Sequence, residues 1–506
     1  MNTRRILKIV LSAAAVVALL AGTAAYFASR WYLRRYGEIG FDSVVHTMIF
    51  HARAAEDGQH RSFLHKVVLR PALCWVALCA AFFGAPAAHR RRRVRAGRAV
   101  PRWPGRAGWI AAILTSAVFS AVAVRNVGLD RWVANRAKPS TLYEDFYVDP
   151  RDAEPVFPER RRNLICLYIE SCETTLLSRE QGGAMERGAM PELYELARDN
   201  VNFSHDGGVG GWPFFQGAAW TTGAMTAFTA GIPLSIPVEV NTYDRYRDFL
   251  PGVRALGDIL RDAGYRQALM VGSDASFGGR DKLYGQHGVE RVLDVFAAER
   301  DGVIQPGFRE WWGMRDSILY EWARREISRM ASEPGPFAVT VLTADTHAPD
   351  GFRCPLCEDQ FAEPYQNCFA CASRQAADFL EWLRAQPFWA DTTVLVCGDH
   401  LAMDPGFFQR TRAGGLESRH VYNCLLNPAP GLDVSRCKNR EFSPMDLFPT
   451  VLSAIGCHIP GSRLGLGTDL FSPLPTLCER KGAAWLNEEI QKRSGFYLLR
   501  FVLKGR

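Results

Sequence analysis

Thr393-Val394-Leu395-Val396-Cys397-Gly398-Asp399-His400 decides how this chain is read. Its opening residues are an apolar run closed by glycine, the pattern of a strand buried on both faces of a parallel sheet. In such sheets chemistry gathers at the carboxyl ends of the strands. Here that end carries a carboxylate and an imidazole side by side, an oxygen and a nitrogen that one divalent cation can share. A His after an Asp in a loop is more often simply solvated. The pair gains meaning only from what other strands bring to the same edge.

Four further runs read as strands: 163–169 (NLICLYI), 267–271 (QALMV), 337–342 (FAVTVL) and 421–426 (VYNCLL). Amphipathic segments at 190–199, 253–263, 316–332 and 374–385 lie between them. This alternation predicts an α/β fold, a mostly parallel sheet with helices on both faces. The first run ends at Glu170-Ser171, the run from Phe337 at Asp345-Thr346-His347, and the central run at Asp399-His400. A parallel sheet gathers these ends, so Glu170, His347, Asp399 and His400 share one rim. Each alone would pass for a cap or a surface polar group; together they form a candidate metal site with room for a nucleophile or substrate. The nucleophile candidate is Thr221, within Gly217-Ala218-Ala219-Trp220-Thr221-Thr222-Gly223-Ala224-Met225. Small residues around a hydroxyl fit a loop turning into a helix, where unpaired backbone N–H groups can hold an anion. A metal would make that hydroxyl competent by lowering its pKa. Thr221 reads equally as a plain cap of the following helix.

The 506 residues suffice for one large domain or several ordinary ones, and the net charge of +7 is unevenly spread. Eight arginines and no acid fall within 89–106, between apolar stretches at 71–88 and 107–124. A third apolar stretch, 9–28, follows Arg4, Arg5 and Lys8. Each is about 18–20 residues, enough to cross a hydrocarbon core. The positive-inside rule puts the amino terminus and the arginine cluster in the cytoplasm and everything after about residue 128 outside. The expectation is a multi-pass protein of the inner (cytoplasmic) membrane with its large domain in the periplasm. The arginines then anchor the topology near anionic lipid, and no nucleic-acid partner is expected. The Ala-rich end of the first segment near Ala28 also fits a signal peptide, which would leave the large domain where it is. The loop over 30–66 contains a candidate membrane-surface helix at 41–50. The expected division is a membrane domain (1–128), a linker (129–160) that is Pro- and acid-rich over 139–158, a catalytic domain (161–480), and a basic, aromatic tail (481–506) whose stretch 485–504 is a candidate for lying against the membrane.

Among thirteen cysteines, Cys74 and Cys79 fall in a membrane segment, and Cys354, Cys357, Cys368 and Cys371 form a tight group. In the cytosol the spacing would suggest a small zinc ribbon. Outside the membrane it favours two disulfides stapling a surface loop, with structural zinc as the alternative.

Several strings together resemble the alkaline phosphatase and sulfatase superfamily. They are Tyr168-Ile169-Glu170-Ser171, the Thr221 turn leading to Gly231-Ile232-Pro233-Leu234, Asp345-Thr346-His347-Ala348-Pro349-Asp350-Gly351-Phe352, and Gly398-Asp399-His400-Leu401-Ala402-Met403. The arginine-rich loop, Phe203-Ser204-His205 and Leu464-Gly465-Leu466-Gly467 extend the match along nearly the whole chain. The likeness is greater to the membrane-anchored branch of lipoteichoic acid synthases and phosphoglycerol transferases. It is greatest to the phosphoglycerol transferases that decorate osmoregulated periplasmic glucans using phosphatidylglycerol. The resemblance implies an α/β/α sandwich and one divalent metal, manganese favoured over zinc or magnesium, held by Glu170, Thr221, Asp399 and His400. It implies that Thr221 takes phosphoglycerol covalently from phosphatidylglycerol and passes it to a periplasmic glucan or other envelope glycan. His347 would contact the transferred group or assist its proton transfer. Arg280 falls where lipoteichoic acid synthases carry a phosphate-contacting Arg, although the aromatic residue expected two positions earlier is Gly278. The cysteine group is fuller than the single pair expected in that loop. Long phosphoglycerol transferases also carry a carboxyl-terminal region beyond the part matched here. Trp212 and Trp220, near the nucleophile, are candidates for substrate binding, with core packing the favoured reading.

A formylglycine sulfatase would need C/S-x-P-x-R, and the nearest string, Ser235-Ile236-Pro237-Val238-Glu239, ends in Glu. That activity is excluded. A phosphoethanolamine transferase shares the metal and threonine logic but has a longer membrane portion, and a phosphodiesterase would hand the group to water. A non-catalytic scaffold would tolerate loss of ligands, yet all four are present.

Overall fold

The computed structural model describes residues 3–36, 41, 64–99, 103–235 and 248–503. The candidate surface helix over 41–50 lies outside these except for its first residue, and so do residues 236–239 of the sulfatase-like string. The chain forms two compact units, one built on the amino-terminal helices and one running from Asn135 onward.

In the first unit, α1 (Thr3–Tyr36), α2 (Leu64–Arg95) and α3 (Trp103–Asn126) are helical throughout. The spans Val10–Arg34, Leu64–Arg95 and Ala107–Asn126 are long and apolar enough to cross a membrane. Each contains the corresponding expected segment but for the first residue of 9–28, and α2 carries the helix on through Arg90–Arg93. Large apolar side chains such as Val17, Leu73 and Leu114 face outward, each more than half exposed. The helix contacts are made through small and polar residues, as expected where no water drives association. Ser116 Oγ donates to the Ala18 carbonyl at 2.7 Å, and Trp75 Nε1 to the Val16 carbonyl at 3.1 Å. A Cβ on Gly108 would stand 2.0 Å from the Phe82 carbonyl oxygen.

The second unit is built on a sheet. Its elements include β1 (Asn163–Ile169), α4 (Pro191–Asp199), β2 (Gly211–Trp212), α5 (Thr221–Ala230), α6 (Leu256–Asp262) and β3 (Arg266–Val271). They continue with α7 (Arg280–Gln286), β4 (Arg291–Leu293), α8 (Asp316–Ala331), β5 (Phe337–Leu342), α9 (Pro364–Arg384), β6 (Thr392–Gly398), β7 (Val421–Leu426) and α10 (Leu447–Ala454). Strand order is β2-β7-β6-β1-β5-β3-β4. The block from β6 to β4 is parallel; at one edge β7 pairs antiparallel with β6, and β2 antiparallel with β7. Both faces are covered, which is why the central strands are continuously apolar. Along β1, Leu164, Cys166 and Tyr168 enter one hydrophobic cluster and Ile165, Leu167 and Ile169 the other.

The five strands expected from sequence are present. The additional β2 and β4 have only two and three residues, too short for a readable alternation. Three corrections concern boundaries. Helix α9 begins at Pro364, ten residues before the expected start, so Cys368 and Cys371 lie on a buried helix face and not in a surface loop. Proline suits a first helical turn, and apolar contacts extend the helix to it. Residues 139–158 are not a free linker: Leu142 and Tyr143 are buried in the domain core, and Val148 exchanges backbone hydrogen bonds of 2.8 Å with Gly465. The segment after residue 481 is not a separate tail, because Leu486, Tyr497 and Phe501 enter the same core. The Tyr143 ring lies 5.4 Å from Tyr497 and 5.5 Å from Phe501, so these two aromatic segments bury each other.

Candidate active site

β1 lies between β6 and β5, so the residues that follow these three strands emerge together. Ile169 pairs with Gly398, which sets Glu170 beside Asp399. Gly398 is required by packing: a Cβ there would lie 2.0 Å from the Cys172 carbonyl oxygen. Glu170, Asp399 and His400 are all buried, and one donor atom from each falls within 4.8 Å of the others.

The cluster is pre-oriented by its neighbours. Asp399 Oδ1 accepts from the backbone N–H of Ser171 at 2.8 Å and of His400 at 2.9 Å. Its Oδ2 is buried and takes no hydrogen bond, with His400 Nε2 3.3 Å away. His400 Nδ1 lies 2.9 Å from the Leu401 carbonyl oxygen, which can only accept, so Nδ1 carries the proton. The lone pair of Nε2 then faces Glu170 Oε1 at 3.5 Å. Ser171, at φ 58°, donates its hydroxyl to Glu170 Oε1 at 2.7 Å. Burial and then the Glu170 charge push Asp399 up to about 6, against the pull of His400 and the backbone N–H groups. Burial would drive His400 down, but Asp399 and Glu170 hold it above its ordinary value. An orphaned carboxylate oxygen, a second carboxylate and an imidazole lone pair buried together fit a divalent cation, and this donor set suits manganese, zinc or magnesium.

Thr221 is the first residue of α5, whose other nine residues are buried. Its Oγ1 lies 3.5 Å from Glu170 Oε2 and 3.5 Å from His400 Nε2. The cap position is Trp220, so the Thr221 side chain is turned to the cluster and does not cap the helix. The tight approach depends on Gly223, where a Cβ would meet the Gly217 carbonyl oxygen at 2.5 Å. First-turn amides have no partner within the helix, which makes this end favourable for an anion. Trp212 packs on Phe228 and Phe442, and Trp220 is buried as well, matching the core expectation for both.

Arg280 opens α7 and is buried. Burial lowers its pKa, opposed first by the Glu170 charge and also by Asp274 and Asp399. Its guanidinium donates to the Ser273 hydroxyl at 3.0 Å and the Asp274 carbonyl at 2.7 Å, and sits 5.5 Å from the Phe277 ring. Phe277 meets Trp312 at 5.1 Å, and Trp312 meets the His347 ring at 4.6 Å. Arg280 and His347 are therefore linked through one aromatic wall. His347 Nδ1 donates to the Ala348 carbonyl at 2.8 Å. Beneath this rim Asp345 is held above the usual carboxylate range by burial and by Asp316, whose Oδ2 accepts the Asp345 N–H at 3.1 Å.

Sequence reasoning missed a second ring of polar residues. Glu173 and Arg419 form a buried ion pair, with Arg419 Nε 2.9 Å from Glu173 Oε1. Arg419 also donates to the Ala402 carbonyl at 2.7 Å, and Glu173 Oε2 accepts the Ala402 N–H at 2.8 Å. This clamp fixes the backbone just past His400. Thr343 Oγ1 accepts the Glu170 N–H at 3.1 Å. The Thr346 hydroxyl donates to the Glu170 carbonyl at 2.5 Å. An acid three residues after Glu170 was a readable hint; nothing in the string at Arg419 announced its partner. Cys354, Cys357, Cys368 and Cys371 take no part in the Glu170–Asp399–His400 group.

A metal-ready cluster beside a helix-borne hydroxyl, at the carboxyl edge of a doubly covered sheet, defines the alkaline phosphatase superfamily layout. Residues 179–457 match the family described as Sulfatase, and the chain belongs to that family. It is 29% identical over 355 residues to phosphoglycerol transferase I of Xanthomonas euvesicatoria pv. vesicatoria (strain 85-10), covering 66% of this chain and 48% of the relative. It is 31% identical over 268 residues to phosphoglycerol transferase I of Salmonella arizonae (strain ATCC BAA-731 / CDC346-86 / RSK2980), covering 51% and 33%. The chain thus spans about half the length, or less, of the curated relatives it matches. Among solved structures, the lipoteichoic acid synthase LtaP from Listeria monocytogenes aligns with a TM-score of 0.48 at 20% identity, covering 62% of this chain and 77% of that one.

Proposed function

We propose that the chain is a membrane-anchored, metal-dependent phosphoglycerol transferase that moves phosphoglycerol from phosphatidylglycerol to a periplasmic glucan or other envelope glycan. The observation that carries this reading is Thr221 Oγ1 at 3.5 Å from both Glu170 and His400, at the amino-terminal end of a buried helix. The names of the relatives support the phosphoglycerol group as the cargo. Glu170, Asp399, His400 and Thr221 would hold one divalent ion, manganese favoured, which supplies charge neutralisation and a lowered hydroxyl pKa.

Thr221 Oγ1 forms a bond to phosphorus as the bond to the diacylglycerol oxygen breaks, and the threonine proton ends on that departing oxygen. The glycan hydroxyl then attacks the phosphothreonine, breaking the Oγ1–P bond and returning a proton to Thr221. Arg280 adds positive charge behind the metal group, where the diester's charge must be offset before an oxygen can approach. His347 is assigned to the transferred glycerol phosphate and its proton traffic. The arginine-rich end of α2 sets the orientation, with the sheet domain on the periplasmic side of the inner membrane. Anchoring then keeps the site close to its lipid donor.

The test incubates full-length protein in lipid nanodiscs with head-group-labelled phosphatidylglycerol or phosphatidylethanolamine, with and without glycan. Metal-dependent diacylglycerol release from phosphatidylglycerol alone is expected, with label trapped on Thr221 and transferred to glycan. Loss of the Thr221 hydroxyl in Thr221→Ala should cost a factor on the order of a million, by analogy with other covalent nucleophiles, while Thr221→Ser keeps measurable turnover. Release from phosphatidylethanolamine instead, or transfer only to water, would replace this reading with one of its relatives. Release from neither lipid would end it.

A further inference from the structure

The thiol group described above sits away from the metal-ready cluster and is used by no step of the transfer. Cys354 and Cys357 flank a turn after β5, closed by the Cys357 N–H donating to the Cys354 carbonyl at 2.9 Å. Cys368 and Cys371 project from successive turns of α9. Cys354, Cys368 and Cys371 are buried and Cys357 is half-buried.

The spacing of the sulfur atoms is informative. Cys354 Sγ lies 3.7 Å from Cys357 Sγ and also 3.7 Å from Cys371 Sγ. A sulfur can enter only one disulfide, whose bonded atoms stand about 2 Å apart. Two equal neighbours at this distance describe a cluster, not a pair. Tetrahedral thiolates at about 2.3 Å from a zinc ion have sulfurs about 3.8 Å apart. One donor atom each from Cys354, Cys357 and Cys371 falls within 4.8 Å of the others. Cys368 neighbours Cys357 but lies outside that three-sulfur group, its thiol directed at the Asp350 carbonyl oxygen at 3.4 Å.

The surroundings also suit bound thiolates. The Gln375 amide donates to Cys371 Sγ at 3.2 Å and reaches Cys354 Sγ at 3.9 Å. Such N–H···S contacts orient ligands and disperse their charge.

We propose that Cys354, Cys357 and Cys371, with Cys368 as the nearest fourth thiol, bind one structural zinc ion that pins the loop after His347 to α9. The loop and helix are already in close contact there, since a Cβ on Gly351 would lie 2.9 Å from Cys368 Sγ; within the loop, Phe352 N–H donates to the Asp345 carbonyl at 2.6 Å. The ion would therefore stiffen the segment that begins at His347, as a positioning element and not a catalytic one.

The test measures zinc in full-length protein purified from membranes in detergent, both wild type and an Asp399→Asn/His400→Ala variant that cannot fill the other cluster. Thiols are counted in parallel, after denaturation in chelator without reductant, by alkylation and peptide mass spectrometry. One zinc per chain is expected in both proteins, with all thirteen cysteines alkylated. In Cys354→Ser and Cys371→Ser the zinc should fall to background. Recovery of the four cysteines in disulfide-linked peptides from the wild type would overturn the proposal. So would free thiols with no zinc, or with another metal in its place.

Discussion

Glu173→Gln changes one charge and almost no volume, and its effect follows from the geometry around Ala402. Glu173 is fully buried, and its partner Arg419 is nearly so. The guanidinium also lies 3.5 Å from the centre of the Phe408 ring, which leaves it no route to water. The variant would leave this cation without an anion, and the glutamine NH2 would face N–H donors of Arg419 or Ala402. Breaking a buried pair by removing one partner costs about 3–5 kcal/mol. At roughly 2 °C per kcal/mol for a domain of this size, the melting temperature should fall by about 6–10 °C. Loosening the Ala402 backbone should also weaken the hold on His400, lowering divalent-metal affinity by about 10–100-fold as for other supporting partners of metal ligands. Differential scanning fluorimetry of detergent-solubilised protein and a manganese titration read the two effects. A Glu173→Gln/Arg419→Met double variant should recover much of the melting temperature, because an apolar pair needs no desolvated charge. If Glu173→Gln melts within about 1 °C of wild type and binds metal equally well, the clamp contributes nothing and the reasoning fails.

Two further outcomes can be checked. Gly398→Ala forces its Cβ against the Cys172 carbonyl, so β6 or the Cys172 turn must shift. A loss of about 1–3 kcal/mol, read as a lower melting temperature together with weaker metal binding, is expected; an unchanged protein would mean that the edge is softer than its contacts imply. Asp446 is raised to about 6 by burial, above its ordinary value of 3.8. The folded state therefore holds the extra proton, and this contribution is complete below pH about 4 and lost as pH rises through about 6. Relative to Asp446→Asn, wild type should lose about 3 kcal/mol across that window, so a melting-temperature difference that stays flat with pH would refute the shift.

Much of the candidate site's grouping was legible in the sequence. Glu170, Asp399 and His400 were readable because each ends an apolar run, and parallel strands must present their carboxyl ends on one side. Thr221 was readable because small residues on both sides of a hydroxyl suit a close helix start. The Glu173–Arg419 clamp was not, because two charges separated by hundreds of residues leave no periodic trace. The early start of α9 was missed because its first turns carry no clear amphipathic pattern, although Pro364 marked the boundary. The segments at 139–158 and beyond 481 read as linker and tail because neither has a partner visible nearby in sequence. Their aromatic residues are buried by meeting each other within the domain core.

By itself the sequence determined the apolar spans, the strand-and-helix alternation, and the side-chain types gathered at one edge of the sheet. Those follow from local rules: span length, residue period and the direction of a parallel strand. Tertiary structure alone decided that Asp399 Oδ2 is left without a hydrogen bond, that His400 turns Nε2 inward, and that Thr221 faces the cluster instead of capping its helix. It also set Cys354 equally far from two other sulfurs, the geometry behind the proposed zinc site. Each is a matter of tenths of an ångström between residues far apart in the chain, and only packing fixes such distances.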